Sequence, residues 1–388
     1  MRLLIYICCA FSVTSLAAHA ADEASSHEVL TQKEWDYVNR SVDRALEWIV
    51  SQQNPNGSFP TQQTGQPAVT SLCVMAFLAQ GHLPGEGRYG DSLKRALDYI
   101  VSCQKRNGIL ADIAPNGNNV SRQVQHHIGY TVSYNHAIAG LVLAESYAMV
   151  GSESTAAIGP VIQEALDVSY LMQDWPNERE VDEGGWRYLD DYEDHENDGK
   201  ITSDLSITGW QLMFLRSAKN AGFDVEADRI ERAVGYVRGC FLTEDGTFTY
   251  KLVNRNRASR GMAGAGILAL AHSGLHNTPE AQRAGDWLLR SGFESYNAPG
   301  RVTGSRPRDD RYFYGLLTSS QAMYQLGGRH WREFFPPMAK VLIANQNNDG
   351  SWDAEQHHLD GAFGRAYTTA IGVLALSASN QLLPIFQR

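Results

Sequence analysis

The chain has the marks of an all-α protein, a closed barrel built from six helix hairpins. Three observations point there. One helix–turn frame recurs six times, each copy is followed by a second helix that is apolar on most faces, and the last of these stays apolar almost to the C-terminus.

The frame is clearest in Ala45–Phe59, Ala96–Leu110 and Ala339–Trp352; weaker copies run Ala165–Trp186, Ala233–Phe248 and Ala284–Phe293. In the second copy Leu93, Ala96, Leu97, Ile100 and Val101 fall at i, i+3, i+4, i+7 and i+8, the stripe of an amphipathic helix. Asn107-Gly108, Asp245-Gly246 and Asp349-Gly350 are expected to stop their helices, with Gly in the left-handed cap. Phe59, Leu110, Phe248 and Trp352 stand two residues past the Gly and should fold back on the helix end. Gln53, Gln104 and Gln346, six residues earlier, are placed to bond carbonyls freed in the turn.

The second helices are expected at Val69–Gln80, Tyr134–Met149, Leu205–Asn220, Met262–Ser273, Tyr312–Leu326 and Ala366–Ala378. A helix apolar all round is buried, so these form an inner ring inside six amphipathic outer helices. An open solenoid would need polar capping repeats at both ends. Here apolar character persists through Leu382, so Ala366–Ala378 should meet Val69–Gln80 and close one domain spanning about residues 29–388. A hydrophilic insertion with an acidic loop occupies about residues 174–203.

Residues 1–20 read as a secretory signal: Arg2, an apolar run from Leu3 to Leu16, and Ala18-His19-Ala20 before the cleavage point. The expected location is therefore secreted or periplasmic, with no transmembrane segment after cleavage. A net charge of −10 without basic clusters argues against a nucleic-acid partner. Cys73, Cys103 and Cys240 lie in apolar helical patterns and read as small buried hydrophobes. Neither CxxC nor HExxH occurs, so the common zinc signatures are missing.

The Gln346…Asp349-Gly350-Ser351-Trp352 segment resembles the QW repeat of squalene and hopene cyclases, whose α6/α6 toroid is shared by protein prenyltransferase β subunits. Gly184-Gly185-Trp186-Arg187-Tyr188 followed by Asp204–Gln211 is similar to the same superfamily's repeat, and the likeness covers nearly the whole chain after residue 20. The resemblance implies the toroid fold. Its chemistry carries over in part only. The acid motif DxDD of class II cyclases corresponds to Ile201-Thr202-Ser203-Asp204, which keeps the last carboxylate alone; Asp191–Asp194 mimics the spacing inside the insertion. The zinc-binding DxC pair corresponds to Asp309-Asp310-Arg311, with Arg for the thiolate, and Ala366–Thr369 has no His. Zinc is therefore not expected. No Cys-Gly-Glu-Gln thioester segment and no pectate-lyase signature stands out.

Several constellations remain. Asp204, Asp309 and Asp310 are candidate acids with His136 as partner, although Asp204 and Asp310 also suit helix capping. His126, His127 and His136 could gather around a metal or fill a polar loop. Tyr130, Tyr134, Trp210, Tyr312, Phe313 and Tyr314, with Arg311, would line a cavity, stabilise carbocations, stack on sugars or fill the core. Asp194, Glu196 and Asp198, with Gly199 at position 6, resemble the start of an EF-hand calcium loop that lacks its twelfth-position acid. Calcium is thus the one cofactor suggested. Three function classes follow: a ligand-binding toroid without intact class II cyclase or zinc transferase chemistry, an isoprenoid-acting cyclase or transferase, and a carbohydrate-processing lyase or hydrolase. The corresponding partners are an apolar or amphipathic small molecule, or a carbohydrate.

Overall fold

A computed structural model describes residues 29–113, 122–189, 201–253, 258–300, 310–357 and 359–387, with backbone alone at 122–128, 152 and 153. Twelve α-helices occur among them. The outer ones are α1 (Gln32–Ser51), α3 (Gly90–Ser102), α5 (Ser152–Gln173), α7 (Ala227–Gly239), α9 (Pro279–Arg290) and α11 (Gly328–Ala344). The inner ones are α2 (Ala68–Leu78), α4 (Arg122–Tyr147), α6 (Leu205–Asn220), α8 (Arg260–Ala271), α10 (Tyr312–Leu326) and α12 (Gly364–Leu376). Each inner helix packs on the next, and α12 packs on α2, so the ring is closed as expected. Every residue of α2 is buried, whereas α1 and α3 bury only a stripe. No helix of the described residues is long and apolar enough to cross a membrane. Cys73, Cys103 and Cys240 are buried thiols that form no disulfide among the described residues.

The repeated turn does more than end a helix. Gln53, Gln104, Gln173 and Gln346 each donate to the carbonyl of their own turn's Gly (Gly57, Gly108, Gly184, Gly350) and to a carbonyl of the next outer helix. Those second acceptors are Ser92, Val161, Arg229 and, across the seam, Ser41. The four glycines have φ between +84° and +95°. A Cβ on Gly350 would also stand 2.4 Å from the Arg44 carbonyl oxygen, so both backbone conformation and the neighbouring helix exclude a side chain.

The glycines are not helix caps, contrary to expectation. The helices end at Ser102, Gly239 and Ala344, several residues earlier, where one or two i→i−3 bonds already satisfy the last carbonyls. The Gly is instead the left-handed corner of the turn that follows. After α7 that turn becomes a short antiparallel hairpin, β1 (Phe241–Leu242) with β2 (Thr247–Phe248). Phe59, Leu110, Phe248 and Trp352 are fully buried, as the folded-back position requires.

Alternating hairpins in a closed ring make all inner helices run the same way. Their C-terminal ends are crossed by the C-terminal segment. Asn380 donates to the Ala79 carbonyl, Gln325 to the Phe386 carbonyl, and the Ile385 amide donates to Glu145 Oε2 at 3.2 Å. Leu383, Ile385 and Phe386 are buried there, so this end of the barrel has a floor. The N-terminal ends form the mouth. Helix α4 begins at Arg122 rather than Tyr134, so its first dozen residues extend it by roughly 18 Å. His126 and His127 therefore belong to a helical backbone, not a loop.

Candidate functional site

Asp204 caps α6, as the sequence suggested. Its Oδ1 accepts the Ile207 amide at 3.0 Å, and Oδ2 accepts Arg187 Nη1 at 2.7 Å and the Tyr250 hydroxyl at 3.3 Å. The residue is fully buried. The turn before α6 explains the pairing. Trp186 is pinned by its indole N–H to the Ser169 carbonyl at 2.8 Å, and the Asp204 amide bonds the Trp186 carbonyl at 2.9 Å. Arg187 is therefore held beside Asp204, with its guanidinium 3.7 Å from the Tyr188 ring centre. The hydroxyls of Tyr188 and Tyr250 bond to each other.

A second hydrogen-bonded chain crosses the mouth. Tyr134 of α4 donates to Ser206 of α6 at 3.0 Å, and Ser206 donates to Tyr314 of α10 at 3.0 Å. Tyr130, Tyr134 and Tyr188 form an aromatic trio with centroids 4.7–6.2 Å apart. On the facing side Arg311 precedes α10 and binds Asp360 and, at 3.0 Å, His357 Nδ1.

Six tyrosines, Tyr130, Tyr134, Tyr188, Tyr250, Tyr314 and Tyr367, remain partly open to solvent. Yet burial raises the phenol pKa of every one; Tyr130 is pushed up to about 12. These partly exposed side chains gather at the N-terminal ends of the inner helices and line the mouth. All six stay protonated at physiological pH and present neutral O–H groups.

Other expected site residues are placed elsewhere. Asp310 does not cap α10. Glu355 does, accepting the Tyr312 amide at 3.0 Å and the Phe313 amide at 2.8 Å. Burial pushes the Glu355 carboxyl up to about 7. Asp310 lies a turn away in a buried pair with Arg260, accepting its amide, Nε and Nη2 at 3.0, 2.9 and 2.6 Å, and the Gly300 amide at 2.6 Å. A carboxylate so fully engaged is a structural tie, and it opens α8 rather than its own helix. Tyr312 and Phe313 pack with Phe293 and Tyr296 between the rings. Trp210 is buried in the core.

His136 does not join Asp204. Its Nδ1 accepts the Leu110 amide at 3.3 Å, which leaves Nε2 to donate to the Ala165 carbonyl at 3.1 Å. Burial pulls its pKa down to about 4, so the ring is neutral. Thr70, Thr208 and Thr369 accept the amides of Phe59, Trp186 and Trp352 in the same way. His136 is thus the second repeat's version of a recurring tie between turn and inner helix. Asp309 and the calcium candidates Asp194, Glu196 and Asp198 lie outside the described residues, as do the side chains of His126 and His127.

Sequence reading missed Arg187, Tyr188, Tyr250, Glu355, Asp360 and Tyr367. A signal existed for most of them. In three repeats, residues between the buried large side chain of the turn and the following inner helix reach the mouth. Arg187 and Tyr188 follow Trp186, Tyr250 follows Phe248, and Glu355 and Asp360 follow Trp352.

No protein-family model matches this sequence, and no curated protein does. Solved structures do. The type II terpene cyclase MstE from Scytonema, in complex with merosterolic acid A as product, aligns at 14% identity over 91% of this chain and 100% of its own, with a TM-score of 0.54. A glycosidase in complex with glucose aligns at 12% identity over 92% of this chain and 100% of its own, with a TM-score of 0.55. The chain has the α/α toroid fold that these proteins share.

Proposed function

We propose that this chain is an exported toroid that binds a small-molecule ligand through the tyrosine-lined mouth, and that it lacks class II cyclase and zinc transferase chemistry. One observation carries the reading: six partly exposed tyrosines lie around two Arg–Asp pairs at the end of the barrel where the inner helices begin, opposite the end that the C-terminal segment floors.

Protonating an alkene needs a carboxylic acid that delivers its proton into the mouth. Both oxygens of Asp204 are instead occupied by an amide, a guanidinium and a phenol, all donors to a carboxylate. Arg311, at the position of the zinc thiolate in the resemblance, is tied to Asp360 and has no lone pair for a metal. The signal-like residues 1–20 support export.

Squalene offered to the purified protein should be recovered unchanged. Hopanoid-like products that vanish in Asp204→Asn would make it a cyclase and end this reading.

A further inference from the structure

The mouth is unusual in how much hydroxyl it carries. Tyr134, Ser206 and Tyr314 are chained, Tyr130 packs on Tyr134 and Tyr188, the Tyr188 and Tyr250 hydroxyls bond each other, and Tyr367 lies within electrostatic reach of Tyr130 and Arg311. In that chain Tyr314 accepts from Ser206, so its own proton remains for another acceptor. Among the described residues Tyr367 has no hydrogen-bond partner for its hydroxyl, and its ring stands 5.6 Å from that of Phe363. The rings meet edge to face or tilted, leaving flat apolar surfaces between the hydroxyls.

Two kinds of ligand would respond oppositely to such a lining. An isoprenoid chain excludes water and supplies no acceptor. Each hydroxyl it strands costs more than burying one methylene gains. Stranding Tyr314 and Tyr367 alone would cancel several methylenes of the chain. A sugar supplies an acceptor oxygen on nearly every carbon and still offers an apolar C–H face to an aromatic ring. The Arg187–Asp204 and Arg311–Asp360 pairs add polar edges without net charge.

Resting on the ligand-binding reading above, we infer that the mouth recognises a carbohydrate, a neutral polyhydroxylated ring bound by tyrosine hydroxyls and faces, rather than an isoprenoid. Tyr314 and Tyr367 are its specificity-determining donors.

The test titrates the full chain with neutral malto-, cello- and xylo-oligosaccharides and, separately, with farnesol, followed by saturation-transfer NMR and near-UV circular dichroism of the tyrosines. At least one oligosaccharide should bind, perturb the tyrosine signal, and lose about fivefold in affinity in each of Tyr314→Phe and Tyr367→Phe, the worth of roughly one hydrogen bond. Farnesol binding with no response to any sugar overturns this inference and leaves the ligand-binding reading standing. Silence towards sugars and farnesol alike overturns both. Sugar binding unchanged in both Phe variants, with thermal midpoints matching the parent, would place the sugar elsewhere and also refute the assignment.

Discussion

Replacing Glu145 by Gln should reverse a pH dependence built into the barrel floor. Glu145 is 3% exposed at the end of α4, where Oε1 accepts the Ser217 hydroxyl and Oε2 the Ile385 amide. Burial raises its pKa from 4.5 to about 7, with the two hydrogen bonds opposing. The folded state therefore holds a proton that the unfolded chain releases above pH 4.5. Its stabilisation is present at acid pH and is lost as pH rises through 7. Linkage over that window gives a fall of about 2.5 kcal/mol between pH 5 and 8.

Glu355 titrates in the same sense, and two buried histidines titrate in the opposite one. Burial depresses His136 to about 4 and His272, which lies against Phe386 with Arg216 nearby, to about 3. Each costs stability as pH falls below 6.5. The difference between Glu145→Gln and its parent isolates the carboxyl. Urea unfolding at unit pH steps should show the variant gaining on the parent by about 2.5 kcal/mol from pH 5 to 8. A difference that is flat with pH would mean that Glu145 is not a buried acid and that the C-terminal segment does not seal it.

Two further substitutions probe the frame. Gln346→Ala removes bonds to the Gly350 and Ser41 carbonyls, both 2.8 Å, and the one from the buried Ser41 hydroxyl; roughly 2–3 kcal/mol should be lost, close to the effect of Gln53→Ala at an interior joint. A silent Gln346→Ala beside a costly Gln53→Ala would indicate an open chain of repeats. His136→Thr, which installs the residue used at the same place in three other repeats, should fold and leave ligand binding unchanged; loss of binding with an intact thermal midpoint would restore His136 to the site.

The fold was legible because it repeats. A helical stripe followed by a Gly and a large residue is visible wherever it occurs, and six copies in frame, four of them with the turn Gln, leave few other architectures. Helices α6 and α10 begin and end where the apolar pattern says they should. The site was harder to read for a physical reason. An Asp before a helix looks the same whether it caps that helix, as Asp204 does, or reaches across to Arg260, as Asp310 does. The partner lies 50 residues away, beyond any local pattern. His136 misleads similarly, because a neutral imidazole holding an amide does the work that a Thr does in other repeats. The tyrosines of the mouth are scattered from Tyr130 to Tyr367, and only closure of the ring gathers them.

The central claim is that the mouth holds a ligand, and native mass spectrometry of the full chain isolated from its own source tests it most directly. The account predicts a retained small molecule, released on denaturation and absent from the Tyr134→Ala/Tyr314→Ala double variant prepared in the same way. A protein that emerges at its bare polypeptide mass, or a retained species equally abundant in the double variant, would contradict it.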